Sequence, residues 1–117
     1  MNILINDTTP EFVTWLAACA KLCDDHMTQH YPNLPKEILV PHFGTRYVRI
    51  SKISKEIDSR TGRPVRCFAW AFLDRTNGDV LKPATYKAPA KHARGNLFDT
   101  SGGMGSMGYF GPAYLRG

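Results

Sequence analysis

Residues 65–86 read VRCFAWAFLDRTNGDVLKPATY, and this stretch decides the fold that the sequence predicts. Aromatic and aliphatic side chains dominate positions 65–74, which hold no proline or glycine, and this favours a β-strand. The pair Asn77 and Gly78 follows, and it is typical of a hairpin turn because both residues tolerate a positive φ. We therefore expect an antiparallel partner strand over 79–86.

A further strand is expected before this hairpin, over residues 46–57, which are rich in β-branched and aromatic side chains. Residues 59–63 read SRTGR and form the turn between the two. Short connections between successive strands predict a three-stranded antiparallel meander. A lone sheet of this size needs a covering element.

Residues 10–30 are expected to provide that cover as one long helix. Pro10 suits the first helical position after Thr9, and Thr8 and Glu11 have the spacing of a capping box. Apolar side chains then recur with a 3.6-residue period, at Phe12, Trp15, Leu16, Cys19, Leu22, Cys23, Met27 and Tyr31. The predicted fold class is α+β, a long N-terminal helix packed on a three-stranded antiparallel meander.

Two other parts of the chain are expected to lack long regular elements. Residues 32–44 form a proline-stiffened connection with room for a short extended piece at 38–40. Pro83 and Pro89 exclude residues 82–96 from a central strand, which leaves an irregular basic segment.

The C-terminal part is rich in glycine, with six glycines in residues 101–117. We expect a flexible tail there unless its aromatic side chains dock on the rest of the molecule. The predicted division is therefore a single α+β domain over 1–98 and a glycine-rich tail over 99–117.

Length and charge limit the classes of protein. The 117 residues suffice for one compact domain, and no apolar run is long enough to cross a membrane. The N-terminus lacks the basic start and long apolar stretch of a secretion signal. Residues 41–98 carry twelve bases and four acids, a charge of +8 in a chain whose net charge is +5. Such a field attracts phosphate backbones, although a solvated basic face has the same composition.

Two groups of side chains are candidates for contact with nucleic acid. In a regular strand, the aromatic side chains at 68, 70 and 72 point to the same face as Arg66. These rings either stack on bases or form core against the helix. The cations of 82–94 have no acid between them, which suits a phosphate track or an exposed loop without a partner. With cations of the first strand added, the candidate residues are Arg46, Arg49, Lys52, Arg66, Phe68, Trp70, Phe72, Lys82, Lys87, Lys91 and Arg94.

No cofactor, metal site or catalytic site is expected. Motifs for a nucleophilic serine, a phosphate-binding glycine loop and a zinc protease are absent from the sequence, so we predict a non-catalytic protein. Three cysteines without a signal peptide indicate free thiols in a reducing compartment. Four possible zinc ligands follow one helix face: Cys19, Cys23, His26 and His30. About 16 Å separates the first from the last, too far for all four to share one ion, whereas two of them with His42 or Cys67 could.

Residues 74–96 read DRTNGDVLKPATYKAPAKHARGN, and this segment resembles a recurrent segment of small bacteriophage-encoded proteins of unknown function. Residues 47–50, YVRI, also resemble these proteins. The resemblance implies a viral origin and assigns no activity. The N-terminal helix and the glycine-rich tail lie outside it.

These features together predict a phage protein that binds nucleic acid, single-stranded or with little sequence preference, in the host cytoplasm or in the virion. The alternative is an interaction protein, either a small virion component or an inhibitor of a host protein. No membrane partner is expected, and a homo-oligomer or a host protein stays open as a further partner. The salt dependence of binding distinguishes nucleic-acid binding from protein interaction. Phosphate contacts weaken as the ionic strength rises, and a mostly apolar interface does not.

Overall fold

The computed structural model describes residues 4–113. Within them one helix is followed by seven strands: α1 (Pro10–His30), β1 (Glu37–Phe43), β2 (Tyr47–Ser54), β3 (Cys67–Asp74), β4 (Asp79–Pro83), β5 (Pro89–Asn96), β6 (Met107–Gly108) and β7 (Gly111–Pro112). The α+β class is confirmed. The helix packs on one face of a five-stranded antiparallel sheet of order β1-β2-β3-β4-β5, while β6 and β7 pair as a separate hairpin.

Helix α1 has the predicted bounds but a different N-terminus. Thr9 precedes the first turn, and its side chain makes no capping bond into the helix. Its Oγ1 instead accepts the backbone N–H of Asn6 at 2.9 Å. Thr8 lies one residue before this cap, and its Oγ1 donates to Asn6 Oδ1 at 2.6 Å, so the expected capping box of Thr8 and Glu11 does not form. Most of the apolar stripe is buried as expected, through Phe12, Trp15, Cys19, Cys23 and Met27. Tyr31, at the end of the predicted stripe, is exposed.

The sheet has five strands rather than three, and both additional strands lie at its edges. Strands β2, β3 and β4 are the predicted meander at narrower bounds. Strands β1 and β5 contain Pro41 and Pro89, the residue type that argued against regular structure there. A proline lacks the N–H that a central strand must donate, but an edge strand leaves one side unpaired. The expectation of an irregular segment over 82–96 is therefore wrong.

A β-bulge in β3 decides where its aromatic side chains lie. Ile50 of β2 pairs with Ala71, and the next pair skips Trp70. An extra residue of this kind reverses the alternation of side chains beyond it. Trp70 therefore joins the core under α1, whereas Phe72 lies opposite Arg49 on the other face of the sheet. The expectation that both rings point to one face is wrong.

Residues 99–113 pack against the helix and the sheet. The indole Nε1 of Trp15 donates to the carbonyl of Gly103 at 3.3 Å, and that of Trp70 donates to the carbonyl of Tyr109 at 2.8 Å. Tyr109 itself packs on the core, which is the docking by aromatic side chains that the sequence left open. The remaining tail residues, 114–117, lie outside the described residues, and the division at residue 98 stays a prediction.

One glycine lets this C-terminal segment approach β3. Gly111 has a φ of 93°, and a Cβ on it would lie 2.4 Å from the carbonyl oxygen of Trp70. No side chain fits at that distance, and L-residues rarely adopt this φ. Glycine at this position therefore permits the β6–β7 hairpin to close over Trp70.

Candidate anion-binding site on the open face

The face of the sheet that α1 does not cover, called the open face below, carries a shallow cavity of about 370 Å³. The end of β1, the start of β2 and the turn after β4 surround it. The side chains that line it include His42, Arg46, Tyr47, Arg49, Phe72 and Lys87. No aspartate or glutamate of the described residues lines this cavity, so its charge is positive.

Arg49 lines this cavity and has an unused hydrogen-bond donor. Its guanidinium carbon lies 4.4 Å from the ring centroid of Tyr86, within the range of a cation–π pair. Its Nε is buried and has no hydrogen-bond acceptor among residues 4–113. A buried donor without an acceptor costs about 1–3 kcal/mol, so an anion that reached this atom would remove a penalty.

Arg46 is partly neutralised by an acid behind the cavity. Its Nε and Nη2 donate to Asp74 Oδ2 at 3.2 and 3.1 Å, and this hydrogen bond raises the pKa of Arg46. Burial alone would raise the pKa of Asp74, but hydrogen bonds from Thr76 and Arg46 leave it below its ordinary value. The Arg46 side chain is still mostly exposed, so it adds positive charge to the rim.

Lys87 reaches the cavity from the turn between β4 and β5. The backbone N–H groups of Ala84 and Thr85 both donate to the carbonyl of Ala88 at 3.0 Å. Thr85 Oγ1 also accepts the N–H of Lys87 at 3.2 Å. These bonds close a tight turn, which carries the exposed ring of Tyr86 and the ammonium group of Lys87 to the open face.

The other cations of the basic segment lie elsewhere. Lys82 Nζ donates to the carbonyl of Pro112 at 3.0 Å, and Arg94 Nε donates to that of Ala113 at 3.2 Å. Both therefore hold the C-terminal end of the described chain. Lys91 is exposed on the edge strand β5. The four cations that the sequence placed in one track thus fall into three different environments.

Lys52 and Trp70 are interior residues on the helix side of the sheet, each 1% exposed. Lys52 Nζ donates to the carbonyl of Tyr109 at 2.7 Å and lies 3.5 Å from the centroid of its ring. Burial lowers the pKa of Lys52. Phe72 is buried as well, at the floor of the open-face cavity. The alternative of a core ring against the helix therefore describes Trp70 but not Phe72.

Arg66 and Phe68 lie together but on the helix side, in a groove near the C-terminal end of α1. Both side chains are accessible to solvent. The sheet separates them from the open-face cavity. The single aromatic and basic face that the alternation predicted is therefore two separate surfaces.

Tyr86, Tyr47 and His42 belong to the open-face site, although the sequence analysis did not select them as site residues. The position of Tyr86, beside Lys87 and between two prolines, could have indicated that its ring is presented by a turn. His42 gave no such signal, because β1 was not expected as a strand.

A family model matches residues 11–108, from the first turn of α1 to the end of β6. The chain belongs to the DUF7717 family. This is described as a family of unknown function. No curated protein and no solved structure matches the chain.

All residues that line the open-face cavity fall within the DUF7717 match. Over residues 4–113 of this DUF7717 member, no helix is long and apolar enough to cross a membrane. The same residues contain no group of three or more His, Cys, Asp or Glu side chains placed to hold a metal ion. The cysteines are free thiols, two of them buried and one, Cys67, exposed.

Proposed function

We propose that the protein is a non-catalytic nucleic-acid-binding protein and that backbone phosphates occupy the open-face cavity. The observation that carries the proposal is the convergence of Arg46, Arg49 and Lys87 on a cavity that no acid of residues 4–113 lines. Arginine presents a planar fork of donors that matches phosphate oxygens, and lysine adds a point charge. Each contact also releases counterions from the nucleic acid, which drives binding at low salt.

An exposed ring beside these cations supports binding of single strands with little sequence preference. Tyr86 is accessible on the open face, and its ring already stacks on the guanidinium of Arg49. Bases stack on such rings regardless of their identity, while neighbouring cations hold the phosphates.

We extend the proposal to a role in phage replication or packaging in the host cytoplasm. The segment that resembles small phage proteins contributes Tyr86 and Lys87, and residues 47–50 contribute Tyr47 and Arg49. The parts of the chain that carry the resemblance therefore supply much of the candidate site.

A second candidate function is protein interaction, in a virion, with a host protein or with another copy of this chain. It is favoured by the apolar half of the open face, where Ile38 pairs with Ile53 across β1 and β2. Ile38 is an exposed large apolar residue, and neighbouring Val40 is only partly buried. Such a patch fits a protein contact better than a phosphate contact.

Fluorescence anisotropy with labelled single- and double-stranded oligonucleotides at several salt concentrations tests the proposal. We expect the affinity to fall steeply with salt and to be higher for single strands. Lys87→Ala should weaken binding to all sequences and reduce the salt slope by about 0.7 on single strands.

Lys55→Ala is the matched control, because Lys55 is an exposed lysine beside the helix side of the sheet. It removes the same charge without touching the open face. Absence of binding to DNA and RNA at low salt would refute the proposal. An equal loss of oligonucleotide affinity in Lys87→Ala and Lys55→Ala would also refute it. Either result would make protein interaction the leading function.

A further inference from the structure

A groove of about 300 Å³ lies on the helix side of the sheet, between the end of α1 and the turn of the β6–β7 hairpin. Three aromatic side chains that line it remain exposed, Tyr31 at 45%, Phe68 at 43% and Phe110 at 79%. Single exposed apolar side chains are normal on protein surfaces, whereas several exposed rings around one cavity indicate a binding surface. The volume lies at the lower end of the range for ligand cavities, which suits a single ring system.

The acidic group of this groove, among the described residues, is the carboxylate of Glu37, whose side chain is 6% exposed. Its Oε1 accepts the hydroxyl of Tyr109 at 2.6 Å, which fixes the carboxylate in place. Its Oε2 lies 3.8 Å from Arg66 Nε, beyond hydrogen-bond distance, and accepts no hydrogen bond from residues 4–113. A positioned acceptor in an apolar groove suits a ligand that donates an N–H group.

The charges around the groove argue against a cationic ligand. Lys52 and Arg66 also line it, so with Glu37 the ionic side chains sum to +1. The ring of Tyr109, which a ligand cation would use, already has Lys52 Nζ 3.5 Å from its centroid. A neutral planar ring satisfies the groove better, because it stacks on the aromatic side chains and donates to Glu37.

We propose that this groove binds an unpaired nucleobase that carries an exocyclic amine. The amine donates to Glu37 Oε2, the ring stacks on Phe68 or Phe110, and the backbone passes the guanidinium of Arg66. Carboxylates accept hydrogen bonds from the exocyclic amine of cytosine. Thymine and uracil have no such amine, and their one ring donor, N3–H, lies between two carbonyl oxygens that a carboxylate repels. The inference rests on the proposed function in taking nucleic acid as the ligand, but it uses other residues on the opposite side of the sheet.

Proton NMR titration of the protein with deoxycytidine and with thymidine tests this inference. Nucleosides have no phosphate, so the cations of the open face add nothing to their binding, and stacking on Tyr86 does not distinguish the two bases. We expect deoxycytidine to shift the ring signals of Tyr31, Phe68 and Phe110, and to bind at least about fivefold more tightly than thymidine. Glu37→Gln should bring the two affinities together, because an amide can donate to thymine as well as accept from cytosine.

Phe110→Ala should weaken deoxycytidine binding at least about fivefold through the loss of stacking. Its matched control is Phe98→Ala, which removes an exposed phenylalanine outside the groove. Equal binding of the two nucleosides, equal effects of the two phenylalanine variants, or unshifted ring signals would each overturn the inference.

The oligonucleotide experiment with Lys87→Ala distinguishes failure of this inference from failure of the proposed function. Salt-dependent oligonucleotide binding without nucleoside binding overturns the groove assignment alone. Nucleoside binding with the predicted preference supports the groove, even where the Lys87→Ala result refutes the open-face site.

Discussion

Lys52 and Arg49 lie three residues apart on β2 and face opposite sides of the sheet, in two different environments. On the helix side, Lys52 is covered by the C-terminal segment, and the carbonyl and ring of Tyr109 satisfy its ammonium group. On the open face, Arg49 keeps a buried Nε without an acceptor among the described residues. The element that covers each face therefore decides whether a cation is hydrogen-bonded within the fold or keeps an unused donor.

The basic segment shows the same difference within a few residues. Lys82 and Arg94 donate to the carbonyl groups of residues 112–113 and so act as anchors. Lys87 lines the open-face cavity, and Lys91 is exposed on β5. In the sequence, the anchoring cations and the exposed cations lie in the same basic segment. Only the positions of the carbonyl groups that accept their hydrogen bonds distinguish the two kinds.

The largest expected effect tests whether the helix side is the stabilising side. Trp70→Ala should reduce the free energy of unfolding by about 3–5 kcal/mol, because it empties a core site and removes one of the two hydrogen bonds to the carbonyl of Tyr109. Phe68→Ala, on the same strand but exposed, should change it by about 1 kcal/mol or less. Urea denaturation measures both variants, and similar losses would contradict the division of β3 into core and surface rings.

The next effect concerns the close approach of the C-terminal hairpin to the helix side. Gly111→Ala should cost about 2–4 kcal/mol, because it adds a clash with Trp70 to an unfavourable φ. Gly62→Ala isolates the φ contribution, since Gly62 has a φ of 69° with no atom within 4 Å of a Cβ. We expect about 1–2 kcal/mol for this control in the same urea experiment. A Gly111→Ala cost no larger than the control would show that the hairpin can move away from β3.

A smaller effect is expected from pH at the turn that docks on Trp15. The carboxylate of Asp99 accepts hydrogen bonds from the backbone N–H groups of Gly103, Asn96 and Ser101 and from the Ser101 hydroxyl. These hydrogen bonds lower the pKa of Asp99 to about 2. This carboxylate therefore stabilises the fold above its ordinary pKa of 3.8, and the contribution is lost as the pH falls toward 2. Asp99→Asn should be less stable than the wild type at neutral pH, and the difference should shrink as the pH falls through this range. A difference that is constant with pH, in thermal unfolding, would show that the charge is not responsible.

The smallest effects separate the two kinds of cation in the basic segment. Lys82→Ala should cost about 1 kcal/mol through the lost bond to Pro112, and Lys91→Ala should change the free energy of unfolding by less than about 0.5 kcal/mol. Thermal unfolding of both variants in the same buffer gives the comparison. Equal values would mean that Lys82 anchors nothing.

The elements that the sequence predicts well are those with a local signature. The 3.6-residue stripe and Pro10 give the bounds of α1, and the Asn77–Gly78 pair connects β3 to β4. The edge strands were missed because the rule that excludes proline from strands holds for central strands only. Nothing local separates an edge strand with Pro41 from a loop, since the difference lies in which neighbour it pairs with.

The candidate site was predictable in its charges but not in its position. Arg46, Arg49 and Lys87 were selected from the density of cations, and the structure brings all three to one cavity. Strict alternation predicts Trp70 and Phe72 on one face, and the bulge at Trp70 makes this prediction wrong. One extra residue moves every later side chain of the strand to the opposite face. A bulge depends on pairing with the neighbouring strand, and a single strand read alone does not reveal it.

Both tryptophan indoles of the chain donate to carbonyls of the C-terminal segment, to Gly103 from α1 and to Tyr109 from β3. Intrinsic tryptophan emission therefore reports on the attachment of one segment from two sides, without any added label. Release of that segment would expose both indoles to water together, and their emission would shift to the red while the sheet still gave its far-ultraviolet circular dichroism. A refolding experiment that follows both signals would show whether this last part of the core forms with the sheet or after it.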